Sequence, residues 1–450
     1  MSTATTELYE TTIGLEIHVE LATNSKMFCG CAVAFAGEPN TRTCPVCLGM
    51  PGSLPVANEK AVEYTMKIGL ALNCDIAEWS LFHRKNYFYP DMPKNYQISQ
   101  YDHPLCERGF VEISGDFGTT KIGITRVHLE EDTGKSIHVG GSGRIADSDH
   151  SLEDFNRAGT PLVEIVSEPD IHSAEEARVF VSELRALLES LDVSDVRMEE
   201  GSMRVDANVS VRRTGEKEFG AKVEVKNMNS IRSVGRALEY EERRQRDALE
   251  AGETLIQETR HFDEKTGTTS SLRTKEFAFD YRYFPEPDLV PFEPSRDWVD
   301  RIRGELPEFP VQRRERFASQ YGLGEKDIQV LAATRGIAQW FERAAAAYDG
   351  DAKKVVNWII ADLFGLLNEA GIELTESKIA PEQLAGLVKL VDSGAVSGKQ
   401  AKLVLQGMFE SGDDADKVAA DKGLQQVSDT GAIEAVVDEV IAEQPEAADK

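Results

Sequence analysis

Four cysteines in two close pairs, Cys29 with Cys31 and Cys44 with Cys47, constrain this chain more than any other feature. Paired thiolates reach one tetrahedral metal without straining the backbone between them, and four thiolates make the closed coordination of a structural zinc site. The second pair stands in Cys44-Pro45-Val46-Cys47-Leu48-Gly49, a turn sequence suited to a zinc knuckle. The competing readings are four buried thiols and a disulfide pair. Nothing in the first residues reads as a secretory signal, so the expectation is against the disulfide. A closed site of this kind braces a fold and leaves the chemistry to other residues.

At 450 residues the chain has room for two or three domains. It holds no apolar run approaching the roughly twenty residues of a membrane span. Six cysteines, four of them in the metal-like cluster, fit a reducing cytoplasm. Cys74 and Cys106 are left over and read as packed thiols, although His103 near Cys106 also admits a nucleophile. Fifty basic against 78 acidic residues give a formal charge of −28, which argues against non-specific nucleic-acid binding because phosphate binding is driven by neutralisation. The imbalance is uneven: residues 204–244 hold ten Lys and Arg against seven Asp and Glu, and residues 375–450 hold seven against fifteen. A polyanion is therefore expected on the first part of the chain.

The patterning predicts an α+β protein. Residues 12–21 alternate, with Ile13, Leu15, Ile17, Val19 and Leu21 on one side and Glu16, His18 and Glu20 on the other. Residues 58–73 read as a helix. Residues 173–191 read as another, with a capping box at Ser173 and Glu176 and a stripe of Phe180, Leu184, Leu187 and Leu191. Alternation returns at 204–212 and 222–226, and a charged helix runs from Asn229 to near Gly252. Six prolines in 284–310 suggest a domain boundary. Beyond it strand patterns stop, and helices are predicted at 353–370, 381–391, 397–409 and 431–450.

Three sets of residues could carry chemistry. Glu16 and His18 share a strand face, where they are either metal and proton-transfer groups or a solvated surface. Glu130, Glu131 and Asp132 crowd beside Gly134 in Arg126-Val-His128-Leu-Glu-Glu-Asp-Thr-Gly-Lys135, a repulsion that a divalent cation would relieve. Thr133 to Ser136 mimics the end of a phosphate loop, but Leu129 stands where that motif needs glycine, and no dinucleotide fingerprint is present. The third set is Arg204, Asp206, Asn208, Ser210 and Arg212 on one strand face, beside Lys222, Glu224 and Lys226 on another. It reads as salt-bridged sheet surface or as a phosphate clamp with Lys226 on phosphoryl oxygens. Residues 82–96 interleave basic and aromatic side chains, as suits a stacked nucleotide or an RNA end. Residues 155–165 place Arg157 and Glu164 around a turn.

These segments together resemble the B subunit of the bacterial tRNA-dependent amidotransferase, the GatCAB complex. The likeness runs through Ile-Gly-Leu-Glu-Ile-His at 13–18, the cysteine cluster, Arg-Lys-Asn-Tyr-Phe-Tyr-Pro-Asp at 84–91, Gln-Ile-Ser-Gln-Tyr-Asp at 97–102 and His-Leu-Glu-Glu-Asp-Thr-Gly-Lys at 128–135. It continues in Asn-Arg-Ala-Gly-Thr-Pro-Leu at 156–162, Met-Glu-Glu-Gly-Ser-Met-Arg at 198–204, Glu-Val-Lys-Asn-Met-Asn-Ser at 224–230 and Asp-Tyr-Arg-Tyr-Phe-Pro-Glu-Pro-Asp at 280–288. The resemblance implies a cradle-like catalytic domain over 1–294, a helical domain over 295–370 and a small helical tail over 371–450, shorter here than is usual. It implies ATP-dependent phosphorylation of the side-chain carboxylate of Glu-tRNA(Gln), and of Asp-tRNA(Asn), followed by amidation with ammonia. The ammonia comes from an amidase, the A subunit, and a small C subunit ties the complex together. It places Glu16, His18, Glu130 and Glu131 at magnesium, Arg204, Asp206 and Lys226 at ATP and the acyl phosphate, and Cys29, Cys31, Cys44 and Cys47 at zinc. Glu16, His18, Glu131, Asp206 and Lys226 are the expected catalytic set. Without the resemblance, the sequence also fits a zinc-braced RNA-binding scaffold or a small-molecule phosphotransferase.

Overall fold

A computed structural model describes residues 8–140, 148–274 and 278–424. The chain divides after Pro307 into two compact units.

The first unit is built on a mixed sheet. Its strands are β1 (Tyr9–Glu20), β2 (Asp75–Ile76), β3 (His83–Asn86), β4 (Tyr96–Ser99), β5 (Cys106–Gly115), β6 (Gly118–Glu131), β7 (Lys135–Val139), β8 (His150–Asp154), β9 (Pro161–Ser167), β10 (Met203–Arg213), β11 (Val223–Met228), β12 (Glu258–Asp263), β13 (Thr268–Thr274) and β14 (Phe284–Pro285). Nine of them form one sheet in the order β13-β12-β11-β10-β1-β9-β6-β5-β2. Only the β11–β12 pair in it is parallel. The apolar face of β1 is sealed: Ile13, Leu15, Ile17 and Val19 are at most 1% exposed, each contributing roughly 1.5–3 kcal/mol. Val205, Ala207, Val209 and Val211 continue that face on β10, and Val163 and Ile165 on β9.

Helices cover this face. Helix α1 (Glu59–Ala71) starts at Asn58, whose side chain caps Lys60 and Ala61, and it packs on β5 and β6. Helix α2 (Ala174–Ser190) starts at Ser173, which accepts from the amide of Glu176. The capping box expected there is only half made, because the Glu176 carboxylate accepts from the amide of His172 instead. Helix α3 (Ile231–Glu250) begins one residue after its cap Ser230 and lies on β10, β11 and β13. Helix α4 (Arg296–Gly304) packs on α1. Part of the predicted loop 82–96 is a hairpin, β3 with β4, to which β14 adds. Alternation over four residues is too short to announce itself against so many aromatics.

The second unit carries α5 (Pro310–Tyr321), α6 (Glu325–Leu331), α7 (Arg335–Tyr348), α8 (Ala352–Asn357), α9 (Phe364–Ala370), α10 (Pro381–Asp392), α11 (Gly398–Ser411) and α12 (Ala415–Asp421). A π-helical stretch, Trp358–Leu363, joins α8 to α9, so the helix predicted over 353–370 has two α segments about a wider turn. One core runs from Phe317 to Ala419 and takes residues from both sides of position 370. Among the described residues no strand follows Pro285. The helix expected at 431–450 lies outside the described residues.

Candidate functional site

Register carries the polar residues of four strands into one row. His18 pairs with Arg204 on β10 and with Glu164 on β9, and Glu164 pairs in turn with His128 on β6. Two positions along β1, Glu16 pairs with Asp206. Side chains alternate with period two, so burying Ile17 fixes Glu16 and His18 on the opposite face. That face lines a cavity of about 550 Å³ bounded by Glu16, His18, Glu130, Glu164, Asp206, Glu224 and Lys226.

One end of the cavity is a donor set. A nitrogen of His18 and carboxylate oxygens of Glu130 and Glu164 lie within 4.8 Å of one another. His18 Nε2 stands 3.2 Å from Glu164 and 3.9 Å from Glu130. Glu130 is held by Ser99 Oγ at 2.7 Å and Gln97 Nε2 at 3.1 Å, with His128 Nε2 at 3.3 Å. Burial opposes its charge, but Lys85 and then His128 hold the Glu130 carboxyl down at about 2. Burial likewise opposes the charge on Glu164, and His128 and His18 outweigh it. Two ionised oxygens and an imidazole at this spacing fit a divalent cation.

The other end is cationic. Lys226 Nζ donates to Asp206 at 2.5 Å and lies 3.4 Å from Glu224. Burial draws its pKa down, yet Asp206 and Glu224 prevail and leave it raised, so the ammonium stays charged. Strand alternation puts Lys226 on the cavity face with Lys222 and Glu224, and a register shift against β10 follows it at Asn227, whose φ is +71°. Asn208 Nδ2 donates to Glu16 at 2.8 Å.

Two expected site residues turn elsewhere. Glu131 faces away from Glu130 and is buried against the Lys94 ammonium, accepting from the amide of Ile98 at 2.9 Å. Arg204 bonds Asp132 at 2.7 Å. Glu16, His18, Glu130, Asp206 and Lys226 share the cavity. Lys85, Tyr101, Tyr281 and Tyr283, none of them among the expected site residues, also line the wall. Tyr101 stacks on Tyr283 at 4.3 Å. The basic and aromatic run at 82–96 carried part of this signal. Glu164 was visible only as a carboxylate near a turn, because its partners are set by register.

The sulfurs of Cys29, Cys31, Cys44 and Cys47 lie within 4.8 Å of one another, and the cluster could hold zinc. The 3.9 Å between Cys44 and Cys47 sulfurs matches the edge of a tetrahedron with Zn–S bonds of about 2.3 Å. The amide of Cys44 donates to Cys47 Sγ at 3.1 Å. A hydrogen bond from Cys29, aided by Lys26, holds the Cys47 thiol down at about 5. Cys74 and Cys106 are buried outside this cluster, and burial raises both pKa values, which removes the nucleophile reading of Cys106.

Comparison with known proteins gives two family matches, the GatB/GatE catalytic domain over residues 11–300 and the GatB domain over residues 339–450. The B subunit of the aspartyl/glutamyl-tRNA(Asn/Gln) amidotransferase of Carboxydothermus hydrogenoformans is 54% identical over 439 residues, covering 98% of this chain and 90% of its own. The protein of the same name from Moorella thermoacetica is 54% identical over 437 residues, covering 97% and 91%. That of Persephonella marina is 50% identical over 442 residues, covering 98% and 92%.

Proposed function

The chain belongs to the GatB family, and on that premise we propose that its cavity is where a tRNA-bound carboxylate is phosphorylated and then amidated. The chain acts as the B subunit of a tRNA-dependent amidotransferase serving translation. The substrates are Glu-tRNA(Gln) and Asp-tRNA(Asn). The side-chain carboxylate oxygen attacks the γ-phosphorus of ATP, ADP leaves, and an acyl phosphate forms. Ammonia then attacks the carbonyl carbon, the carbon–oxygen bond breaks, phosphate departs and a proton is lost from nitrogen. The ammonia is imported from an amidase, the A subunit, and a small C subunit completes a cytoplasmic heterotrimer. No described helix is long and apolar enough to cross a membrane.

The observation that carries this reading is one cavity with a hard-cation donor set at one end and a charged lysine at the other. Phosphoryl transfer asks mainly for positioning and charge neutralisation. A magnesium ion held by His18, Glu130 and Glu164 would supply part of that neutralisation when bound. Lys226 places a fixed positive charge on phosphoryl oxygens, and Asp206 orients it. Asn208 holds Glu16 toward the reacting centre, where its carboxylate can take the proton that ammonia sheds. We assign the zinc knuckle and sheet to a cradle-like catalytic domain, and the helices of the second unit to a helical domain and a tail that share one core across position 370.

Assembled with its two partner proteins and given Glu-tRNA(Gln), ATP and glutamine, the chain should yield glutamine on the recovered tRNA. Glutamate alone, with tRNA binding intact, would turn the assignment toward an RNA-binding scaffold. ADP formation without any tRNA would favour a phosphotransferase.

A further inference from the structure

A single buried cation joins the thiol cluster to the segment that leads into β9. Lys26 is 1% exposed. Its ammonium donates to Arg42 O at 2.8 Å and Phe155 O at 3.1 Å, and lies 3.7 Å from Cys47 Sγ. An ammonium has three N–H groups, and here two carbonyls and one sulfur face it. Burying a charge is costly unless opposite charge and acceptors meet it. Four thiolates around one dication carry net negative charge, so the cluster and Lys26 satisfy each other.

The three contacts belong to two different segments. Arg42 and Cys47 are in the knuckle, and Phe155 opens the stretch 155–160 that leads into β9 and Glu164. That stretch is fastened at both ends. The amide of Met27 donates to Gly159 O at 2.7 Å, and the amide of Arg42 donates to Asn156 Oδ1 at 2.7 Å. On the other side the amide of Gly159 donates to Asp132 O at 2.9 Å, two residues beyond Glu130. Gly159 is wedged at φ +86°, where a Cβ would stand 3.4 Å from Lys26 Cδ and 3.5 Å from Cys47 Cβ. Only glycine takes that backbone conformation at no steric cost.

We propose that Lys26 is a positioning residue of the zinc site, whose ammonium offsets the charge of the four thiolates and clamps residues 155–160 against the knuckle. Zinc occupancy is thereby coupled to the strand that delivers Glu164. Groups that hydrogen-bond metal ligands commonly change metal affinity ten- to a hundredfold, roughly, when removed.

The inference rests on zinc filling the thiol cluster, and metal analysis of the purified full chain tests that premise separately. With zinc present, Lys26→Met should release it to excess chelator about tenfold faster than the parent, and hydrogen exchange at Gly159 and Thr160 should rise. Lys26→Arg, which keeps the charge, should recover most of the retention. The unsubstituted protein gives an arm that needs no variant to fold: stripping zinc should raise exchange at 155–160, and restoring zinc should reverse it. Zinc release at the parental rate from folded Lys26→Met would overturn the proposal. So would exchange at 155–160 that ignores zinc removal.

Discussion

Glu130 and Glu131 are adjacent carboxylates and both buried, yet they meet different partners because a strand turns successive side chains to opposite faces. Glu130 looks into the cavity beside His18. Glu131 looks the other way and neutralises Lys94. Two substitutions should separate them. Glu130→Gln, in the donor set with His18 and Glu164, should lower ATP-dependent amidation on the order of a hundredfold. Glu131→Gln leaves a buried ammonium unpaired and should cost about 3–5 kcal/mol in unfolding measurements. A third residue gives a pH signature. Burial first, then Asp132, pushes the Glu20 carboxyl from 4.5 up to about 8. The folded chain therefore binds a proton that the unfolded chain has lost, and stability should fall as pH rises between those values. Glu20→Gln should flatten that slope in urea midpoints measured across the same window.

Local rules made part of the fold legible in advance: strands β1, β10 and β11, and helices α1, α2, α3, α10 and α11. Strand β1 needs only alternation, and α2 needs only its stripe and its cap. Leu184 is fully buried on that stripe, so Leu184→Ala should destabilise by about 3 kcal/mol. Ser173→Ala should cost about 1 kcal/mol, both read from denaturant melts. Other strands escaped, the long β5 and β6 among them, and in the shortest ones four residues carry too little pattern. The hairpin of β3 and β4 looked like loop for that reason. The register shift between β10 and β11 escaped too, since the extra residue shows only against the partner strand.

At the scale of the whole chain, the second unit has its own apolar core. Expressed alone, residues 308–450 should fold and melt in one cooperative transition, followed by circular dichroism. A non-cooperative trace would mean that this core depends on the first unit. Composition and spacing alone pointed to a chain of mixed α and β structure, to four thiols in two close pairs that could hold zinc, and to carboxylates and lysines sharing strand faces. Those are local properties, set by periodicity and by the reach of neighbouring side chains. Only the tertiary structure decided which carboxylates meet. Glu164 joins His18 and Glu130 through the pairing of β1, β9 and β6, whereas Glu131 is taken by Lys94. The physical reason is that pairing partners come from segments far apart in sequence, and their register is fixed by burying the opposite, apolar face.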